Sequence, residues 1–163
     1  MTTVYLSIGS NIEREKHLHA GITALKKQFG TLILSSVYES DAVGFDGQPF
    51  LNLVASFKTE HPPEQVDSLL DIIEKNNGRT REQKKFNPRT LDLDLILYGD
   101  YISQDPTLEI PRDEITQYAF VLEPLAEIAG ELLHPVLKTS YDQLWQRFDT
   151  SNLVQKRIDF NWD

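Results

Sequence analysis

The sequence contains no cysteine, a single methionine and no apolar run long enough to cross a bilayer. Without cysteine the chain cannot form disulfides, a thiolate nucleophile or a cysteine-ligated zinc site, and this composition suits a reducing compartment. The start, MTTVYLSIGSN, lacks the basic and apolar regions of a secretory signal. We therefore expect a soluble cytoplasmic protein, with residues 1–163 forming a single domain.

Positive charge is also scarce, since 16 lysines and arginines stand against 25 aspartates and glutamates, for a formal net charge of −9. This balance argues against nucleic acid or a membrane surface as a partner. The phosphate-binding patterns G-x-G-x-x-G and G-x-x-x-x-G-K are absent, and the four histidines are not spaced as a metal site. One stretch has the opposite charge: RTREQKKFNPR, residues 79–89, carries five basic residues and one acid.

Hydrophobic periodicity predicts the order β-α-β-β-α-β as far as Tyr98. The predicted strands are TVYLSIG, the segment from Leu32 to about Val43, FLNLVASFKT and the leucine-rich stretch after Thr90. Helices are predicted from about Glu13 to Phe29 and from the His61-Pro62-Pro63-Glu64 start to Asn77-Gly78. This order indicates an α+β, ferredoxin-like fold, in which an antiparallel sheet carries both helices on one face, plus C-terminal additions.

Three local features carry weaker predictions. Gly9-Ser10-Asn11 is typical of a turn and helix cap, and Pro124 is expected to limit a helix between Phe120 and Ile128. Ser140 is expected to cap a short helix in TSYDQLWQRF. The tail SNLVQKRIDFNWD gives no assignment.

The stretch FNPRTLDLDLIL places two acids inside a strand pattern. Successive side chains of a strand point to opposite faces, so the odd-numbered leucines from Leu91 to Leu97 are predicted on one face. Asp92, Asp94, Ile96 and Tyr98 are predicted on the other face, away from the helices. Paired carboxylates suit Mg²⁺, and the adjoining basic residues can bind phosphates, which indicates metal-nucleotide chemistry. The alternative is a pair of solvated aspartates in salt bridges with the neighbouring arginines.

The motif FNPRTLDLDLILYG resembles the signature segment of the 6-hydroxymethyl-7,8-dihydropterin pyrophosphokinases of folate biosynthesis. The likeness continues, in order, through YLSIGSN, SSVYESDAVG, QPFLNLVASFKT, IEKNNGRTR and FVLEPLAEIAGELLHP. The resemblance implies a ferredoxin-like fold and transfer of pyrophosphate from Mg-ATP to the hydroxymethyl group of the pterin, with release of AMP. It implies small-molecule partners, a pterin and ATP, and we expect a monomer.

The resemblance also implies roles for individual residues. The implied catalytic residues are Arg79, Arg89, Asp92 and Asp94, and the two aspartates would hold two Mg²⁺ ions. The nucleotide-binding residues expected are Glu74, Arg81 and Leu95 from the resemblance, Lys85 from the basic segment, and Arg112 as a replacement phosphate contact. The implied pterin-binding residues are Ser40, Val43, Asn52, Phe86 and Phe120.

Several positions depart from the family pattern. Phe86 and Asn87 stand where the family has tryptophan and glycine, and Glu82 stands where a basic residue is usual. Arg112-Asp113 replaces a His-Tyr pair, and Tyr118 replaces an arginine. Two alternatives therefore stay open: a divergent paralogue with another acceptor or low activity, and a catalytically silent binding module of the same fold.

Overall fold

The computed structural model describes residues 1–40, 49–78 and 90–163. Within these ranges the strands form one six-stranded sheet. The strands are β1 (Thr2–Ser10), β2 (Ile33–Leu34), β3 (Val37–Ser40), β4 (Phe50–Thr59), β5 (Asp92–Tyr98) and β6 (Gln155–Ile158). The helices are α1 (Arg14–Phe29), α2 (Pro63–Asn76), α3 (Glu114–Gln117), α4 (Ala119–Ala129) and α5 (Tyr141–Arg147).

The strand order in the sheet is β5-β1-β4-β3-β6, and β2 pairs with β4. All of these pairs are antiparallel. The predicted α+β class and the order β-α-β-β-α-β are confirmed, with the second predicted strand divided into β2 and β3. None of the described helices is long and apolar enough to span a membrane.

Ser35 divides the second predicted strand. Its backbone N–H donates to the Val54 carbonyl and its hydroxyl accepts from the Val54 N–H, both at 2.9 Å. The next residue, Ser36, donates its N–H to the Glu127 carboxylate at 2.9 Å. Side-chain bonds thus replace the regular strand ladder at this point, an effect that β propensity alone does not reveal.

The first face of the sheet, as we name the one against α1 and α2, carries the aliphatic core of the fold. Leu6, Leu53 and Leu93 are buried there against Leu18 of α1 and Leu70 of α2. Helix α1 ends at Gly30 as predicted, with φ at 85° and the Gly30 N–H bonded to the Lys26 carbonyl. Both predicted helices therefore lie on one side of the sheet.

The second face, opposite α1 and α2, is partly covered by the C-terminal helices. Val54 and Ile96 pack there with Val121 and Leu125 of α4 and with Tyr141 of α5. The sequence predicted helices on one face only, whereas these C-terminal helices cover half of the other face. The other half carries Gly9, Asn52, Asp92 and Asp94, which belong to neither hydrophobic cluster.

A β-bulge changes which way the end of β5 faces. Leu6 pairs with Leu95, but the preceding residue, Tyr5, pairs with Leu97, so Ile96 is the extra residue. Leu97 consequently packs in the second-face cluster with Ile96, and Tyr98 packs against the first-face cluster. The predicted faces of Leu97 and Tyr98 are therefore wrong, because an uninterrupted two-residue period was assumed.

The predicted turn at Gly9-Ser10-Asn11 is also corrected. Strand β1 continues through Ser10, whose hydroxyl donates to the Thr90 carbonyl. Helix α1 starts only at Arg14, after Glu13 in a left-handed conformation and with no side-chain cap. The tie to Thr90 fixes Ser10 beside the start of β5.

The C-terminal third departs from the prediction at Pro124, and it supplies a strand in the tail, which the sequence left unassigned. Helix α4 runs through Pro124 because Val121, Leu122 and Leu125 are buried, which offsets the hydrogen bond that proline cannot donate. The tail adds β6 beside β3, and Phe160 and Trp162 pack on the first-face core. Ser140 caps α5 as predicted, accepting from the Gln143 N–H at 3.2 Å.

Candidate active site

The polar half of the second face is built from a row of residues across four strands. Gly9 of β1 pairs with Asp92 of β5 on one side and with Asn52 of β4 on the other, and Asn52 pairs with Tyr38 of β3. Neighbouring strands lie about 4.8 Å apart, so the row spans the width of the sheet. Asp92 and Asn52, far apart in sequence, therefore stand on the same surface with one residue between them.

Gly9 is the small residue in the middle of this row. A Cβ added at Gly9 would lie 2.6 Å from Oδ1 of Asn52, which is closer than the Cβ atoms of real proteins come to a non-bonded neighbour. The Asn52 side chain therefore extends over the Gly9 backbone toward Asp92. Sequence reasoning assigned Gly9 to a turn and missed this role, since only the pairing of β1 with β4 brings Asn52 against it.

Asp92 and Asp94 project from the second face, as predicted. They alternate with Leu91, Leu93 and Leu95, which are buried in the first-face cluster. Both aspartates are partly buried, and Asp94 pairs with Ser7 in the row next to that of Gly9. Their Cα atoms are roughly 7 Å apart along the strand, so a pair of cations with shared ligands could be held between them.

Arg112 is the predicted nucleotide residue that the structure brings to the aspartates. Its backbone N–H donates to the Ile96 carbonyl at 3.1 Å, and its Nε donates to the Glu114 carboxylate at 2.7 Å. Burial opposes the charge on Arg112, but the bond to Glu114 and the nearby Asp94 and Asp92 carboxylates more than offset this and raise its pKa. Arg112 is thus a cation held in an acidic neighbourhood at the edge of β5.

Arg112 also lines a pocket of about 310 Å³. Ile110, Asp113, Thr116, His134 and Leu137 are among the other residues that line the same pocket. The pocket therefore adjoins the residue whose positive charge the Asp92 and Asp94 carboxylates favour.

Glu74 lies beneath the aspartates rather than beside them. It is buried in α2, 3% exposed, and its carboxylate accepts the Leu93 N–H at 2.7 Å. Leu93 is the residue between Asp92 and Asp94, so this bond fixes the strand segment that presents both acids. Leu95, predicted to contact the nucleotide, has its side chain in the first-face core.

The predicted pterin residues meet at the other end of the row. Asn52 Nδ2 donates to the Ser40 hydroxyl at 3.4 Å, and both residues are buried. Phe120, at the start of α4, stacks on Tyr118 with ring centroids 5.1 Å apart and planes 21° apart. Ser40, Tyr118 and Phe120 line one pocket of about 320 Å³.

Other predicted residues fall outside the described ranges. They are Val43, Arg79, Arg81, Lys85, Phe86 and Arg89. Within residues 1–40, 49–78 and 90–163, no group of three or more histidines, aspartates or glutamates is arranged to hold a metal ion. A divalent ion at Asp92 and Asp94 therefore needs ligands besides the described carboxylates.

Comparison with known proteins relates this arrangement to an enzyme family. Residues 5–130 match the family model described as 7,8-dihydro-6-hydroxymethylpterin-pyrophosphokinase. A 2-amino-4-hydroxy-6-hydroxymethyldihydropteridine pyrophosphokinase of Haemophilus influenzae is 38% identical over 139 residues, covering 83% of this chain and 86% of that protein. The enzyme of the same description from Porphyromonas gingivalis is 36% identical over 145 residues, covering 85% and 98%.

Two larger proteins contain a region similar to this chain. The folic acid synthesis protein fol1 of Pneumocystis carinii is 37% identical over 147 residues, which is 88% of this chain but 20% of fol1. A crystal structure of Plasmodium falciparum HPPK-DHPS with pterin and p-hydroxybenzoate has a TM-score of 0.77 at 15% identity, covering 96% of this chain and 46% of that one. This likeness shows the fold, and the chain spans less than half the length of either protein.

Proposed function

The chain belongs to the 7,8-dihydro-6-hydroxymethylpterin-pyrophosphokinase family, and on this premise we propose that it transfers pyrophosphate from ATP to the hydroxymethyl group of 6-hydroxymethyl-7,8-dihydropterin. The pterin oxygen forms a bond to the β-phosphorus, the bond from that phosphorus to the α,β-bridging oxygen breaks, and AMP leaves. The proton of the hydroxymethyl group is released to water. The main structural support for this proposal is the row that sets Asp92 and Asn52 on one surface, with Gly9 between them.

Asp92 and Asp94 are the residues that we assign to Mg²⁺. Their oxygens are the hard ligands that Mg²⁺ prefers, and an ion held by only one or two carboxylates takes its other ligands from water and substrate phosphates. This requirement fits a site without a third described acid. The ions, two in this proposal, supply positive charge that offsets the charge on the phosphates during transfer. Glu74 contributes by holding Leu93, and thereby both aspartates, in place.

The basic residues are assigned to the ATP phosphates. Arg79 and Arg89 stabilise the charge that develops during transfer, and Arg81 and Lys85 bind the nucleotide; this assignment rests on the resemblance of their segment. Arg112 is assigned to the same phosphates, supported by its position close to Asp92 and Asp94. The pocket beside Arg112 is the space that we assign to the rest of the nucleotide. Leu95 can contribute only its backbone there, since its side chain is buried.

The pterin is assigned to the Asn52 end of the row. Asn52 offers an amide that can pair with the amide-like edge of the pterin, and Phe120 offers a ring on which it can stack. Ser40 supports Asn52 through their contact, and Val43 and Phe86 are assigned to the same pocket from the resemblance. The acceptor oxygen then lies toward Asp92, and positioning of the two substrates supplies much of the rate. We assign all of this to one cytoplasmic, monomeric domain of residues 1–163.

The direct test is the identity of the nucleotide product. Purified protein is incubated with ATP, Mg²⁺ and 6-hydroxymethyl-7,8-dihydropterin, and the nucleotides are separated. We expect AMP in a one-to-one ratio with pterin pyrophosphate, because the bond broken is the one between the α- and β-phosphates. ADP would indicate ordinary kinase action instead. AMP formed with another small alcohol and not with the pterin would favour a divergent paralogue.

A binding measurement separates a silent module from an enzyme. Calorimetry is run with a non-hydrolysable ATP analogue and Mg²⁺, on the wild type and on Asp92→Ala. We expect the variant to bind the Mg-nucleotide more weakly, because it loses one of the assigned metal ligands. Equal affinity of the two proteins, together with no AMP formation by the wild type, would support the silent module and contradict this proposal.

A further inference from the structure

The C-terminal tail contacts both halves of the proposed pterin site through one residue, Gln155. Its backbone pairs with Ser40 in the ladder between β3 and β6. Its side-chain Nε2 donates to the Ala119 carbonyl at 3.1 Å and to the Glu123 carboxylate at 2.8 Å. Gln155 therefore joins the strand that carries Ser40 to the start of the helix that carries Phe120.

The two side-chain bonds of Gln155 fix the orientation of its amide. An amide nitrogen carries two hydrogens, and here both have an acceptor, Ala119 and Glu123. The reversed orientation would point the amide oxygen at two other oxygens, which is unfavourable. The start of α4 is thus held by two directional bonds, one of them to a charged group, and bonds to charged groups are stronger than neutral ones.

These bonds act next to the residues assigned to the pterin. Ala119 directly precedes Phe120, so a shift of the Ala119 carbonyl shifts the ring as well. Gln155 also lines the pocket of about 320 Å³ that contains Ser40 and Phe120, and the neighbouring tail residues Asn152, Leu153 and Val154 line it too. All of these tail residues lie beyond the segment 5–130 that the family model matches.

We infer that Gln155 is a positioning residue for the acceptor substrate, and that the tail sets the separation between Ser40 and Phe120 across the pocket. This inference rests on the proposed function, since it takes these two residues as the pterin contacts. It assigns Gln155 no contact with the reacting atoms. It predicts an effect on the pterin alone, because the assigned nucleotide site lies at the opposite edge of the sheet, on β5.

The test compares near-isosteric changes at Gln155. Gln155→Glu places a carboxylate against two acceptors, and Gln155→Leu removes both bonds. The matched control is Lys156→Gln, at the next position of β6, where the side chain is exposed. Calorimetry measures the Kd of the dihydropterin at saturating Mg²⁺ and ATP analogue, and separately the Kd of the analogue. Thermal unfolding of each variant records its stability.

We expect the pterin Kd to rise about tenfold for Gln155→Glu, the size expected for losing a bond to a charged group. The Kd of the analogue should stay within twofold of the wild type. Adding Glu123→Gln to Gln155→Glu restores a donor and acceptor pair, so the double variant should recover part of the affinity. Lys156→Gln should behave as the wild type.

Two results would overturn the inference. One is an unchanged pterin Kd in both Gln155 variants. The other is an equal loss of pterin and analogue affinity without rescue by Glu123→Gln, which would mean a general structural role. If the wild type itself fails to bind the dihydropterin, the proposed function falls and the inference falls with it. If the wild type binds the dihydropterin and the Gln155 variants bind it with the same Kd, only the inference falls and the proposed function stands.

Discussion

The two faces of the sheet are built differently. The first face, against α1 and α2, contributes almost entirely apolar side chains to its core, such as Ile8, Leu51 and Leu91. The second face mixes apolar residues with buried polar ones, including Ser7, Asn52 and Ser56. Burial of apolar surface is non-directional, whereas polar groups need partners in defined places. The first face therefore stabilises the fold, and the second face can hold a chemically specific site.

A polar cluster on the second face shows this need for partners. The Tyr38 hydroxyl donates to one Glu127 oxygen at 2.6 Å, and Ser36 donates its N–H and its hydroxyl to the other at 2.9 and 3.0 Å. Burial alone would raise the pKa of Glu127, but these hydrogen bonds and nearby Arg157 outweigh it and lower that pKa. The cluster joins α4 to β3 directly beside the Tyr38 end of the row.

The largest expected effect is a loss of stability, without a loss of nucleotide binding, on changing a residue of the first face. Leu95→Ala removes a side chain that is 2% exposed in the core, and such truncations cost about 2–5 kcal/mol of unfolding free energy. We expect the folded variant to keep its affinity for the Mg-ATP analogue, since only the Leu95 backbone is available to the nucleotide. Denaturant unfolding and calorimetry measure the two quantities. Ile72→Ala, at a position of α2 that is 53% exposed, is the control.

A nucleotide affinity that falls together with stability in Leu95→Ala would break the comparison. It would mean that the first face also takes part in binding. An unfolding free energy equal to that of the Ile72→Ala control would contradict the buried position of Leu95.

Asp92→Asn, on the second face, is expected to lower activity while largely preserving stability. Loss of a charge-stabilising group typically costs on the order of a hundredfold in kcat. We expect only a small change in unfolding temperature, because the loss of repulsion between the two aspartates opposes the loss of attraction between Asp92 and Arg112. Asp100→Asn, an exposed turn residue just after β5, is the control. Both variants are tested by steady-state AMP formation and by thermal unfolding. A wild-type kcat in Asp92→Asn would contradict the assignment of Asp92.

Gly9→Ala tests the contact that joins the two ends of the row. The added Cβ would meet Asn52 Oδ1 at 2.6 Å, so the amide must move. Overpacking of this kind costs about 1–3 kcal/mol, and we expect a rise of about tenfold or more in the KM for the pterin. The KM for ATP should change less. The control is Thr3→Ala, on the same strand and face but at the far end of the strand, and it should leave both KM values unchanged. Equal changes in the two KM values of Gly9→Ala would argue against this role of Gly9.

The smallest effect is expected at Glu127. Glu127→Gln weakens the bonds from Tyr38 and Ser36 and should cost about 1 kcal/mol of unfolding free energy at neutral pH. Because the folded pKa of Glu127 lies below its ordinary value of 4.5, the stabilisation is complete above that pH and is lost as the pH falls through the folded pKa. Denaturant unfolding at several pH values should show the two proteins converging in acid. A difference that stays constant to low pH would contradict the ionised state of Glu127.

Much of the first face follows from local sequence. The spacing of Leu18, Ile22 and Leu25 predicted α1 and its end at Gly30, and alternation predicted that Asp92 and Asp94 face away from the helices. The resemblance predicted the family and the fold class, and the comparisons confirm both. These features depend on periods of about two or four residues, which the sequence states directly.

The remaining features depend on residues that meet only after folding. The bulge at Ile96, the break at Ser35, the approach of Asn52 to Gly9 and the bonds from Gln155 to α4 each join segments distant in the chain. A local pattern contains no information on cross-strand register, since register is decided by which pairing best packs the core and satisfies the backbone. By itself, then, the sequence determined helices α1 and α2, the β-α-β-β-α-β order as far as Tyr98 and the paired acids. The tertiary structure decided which residues stand beside them.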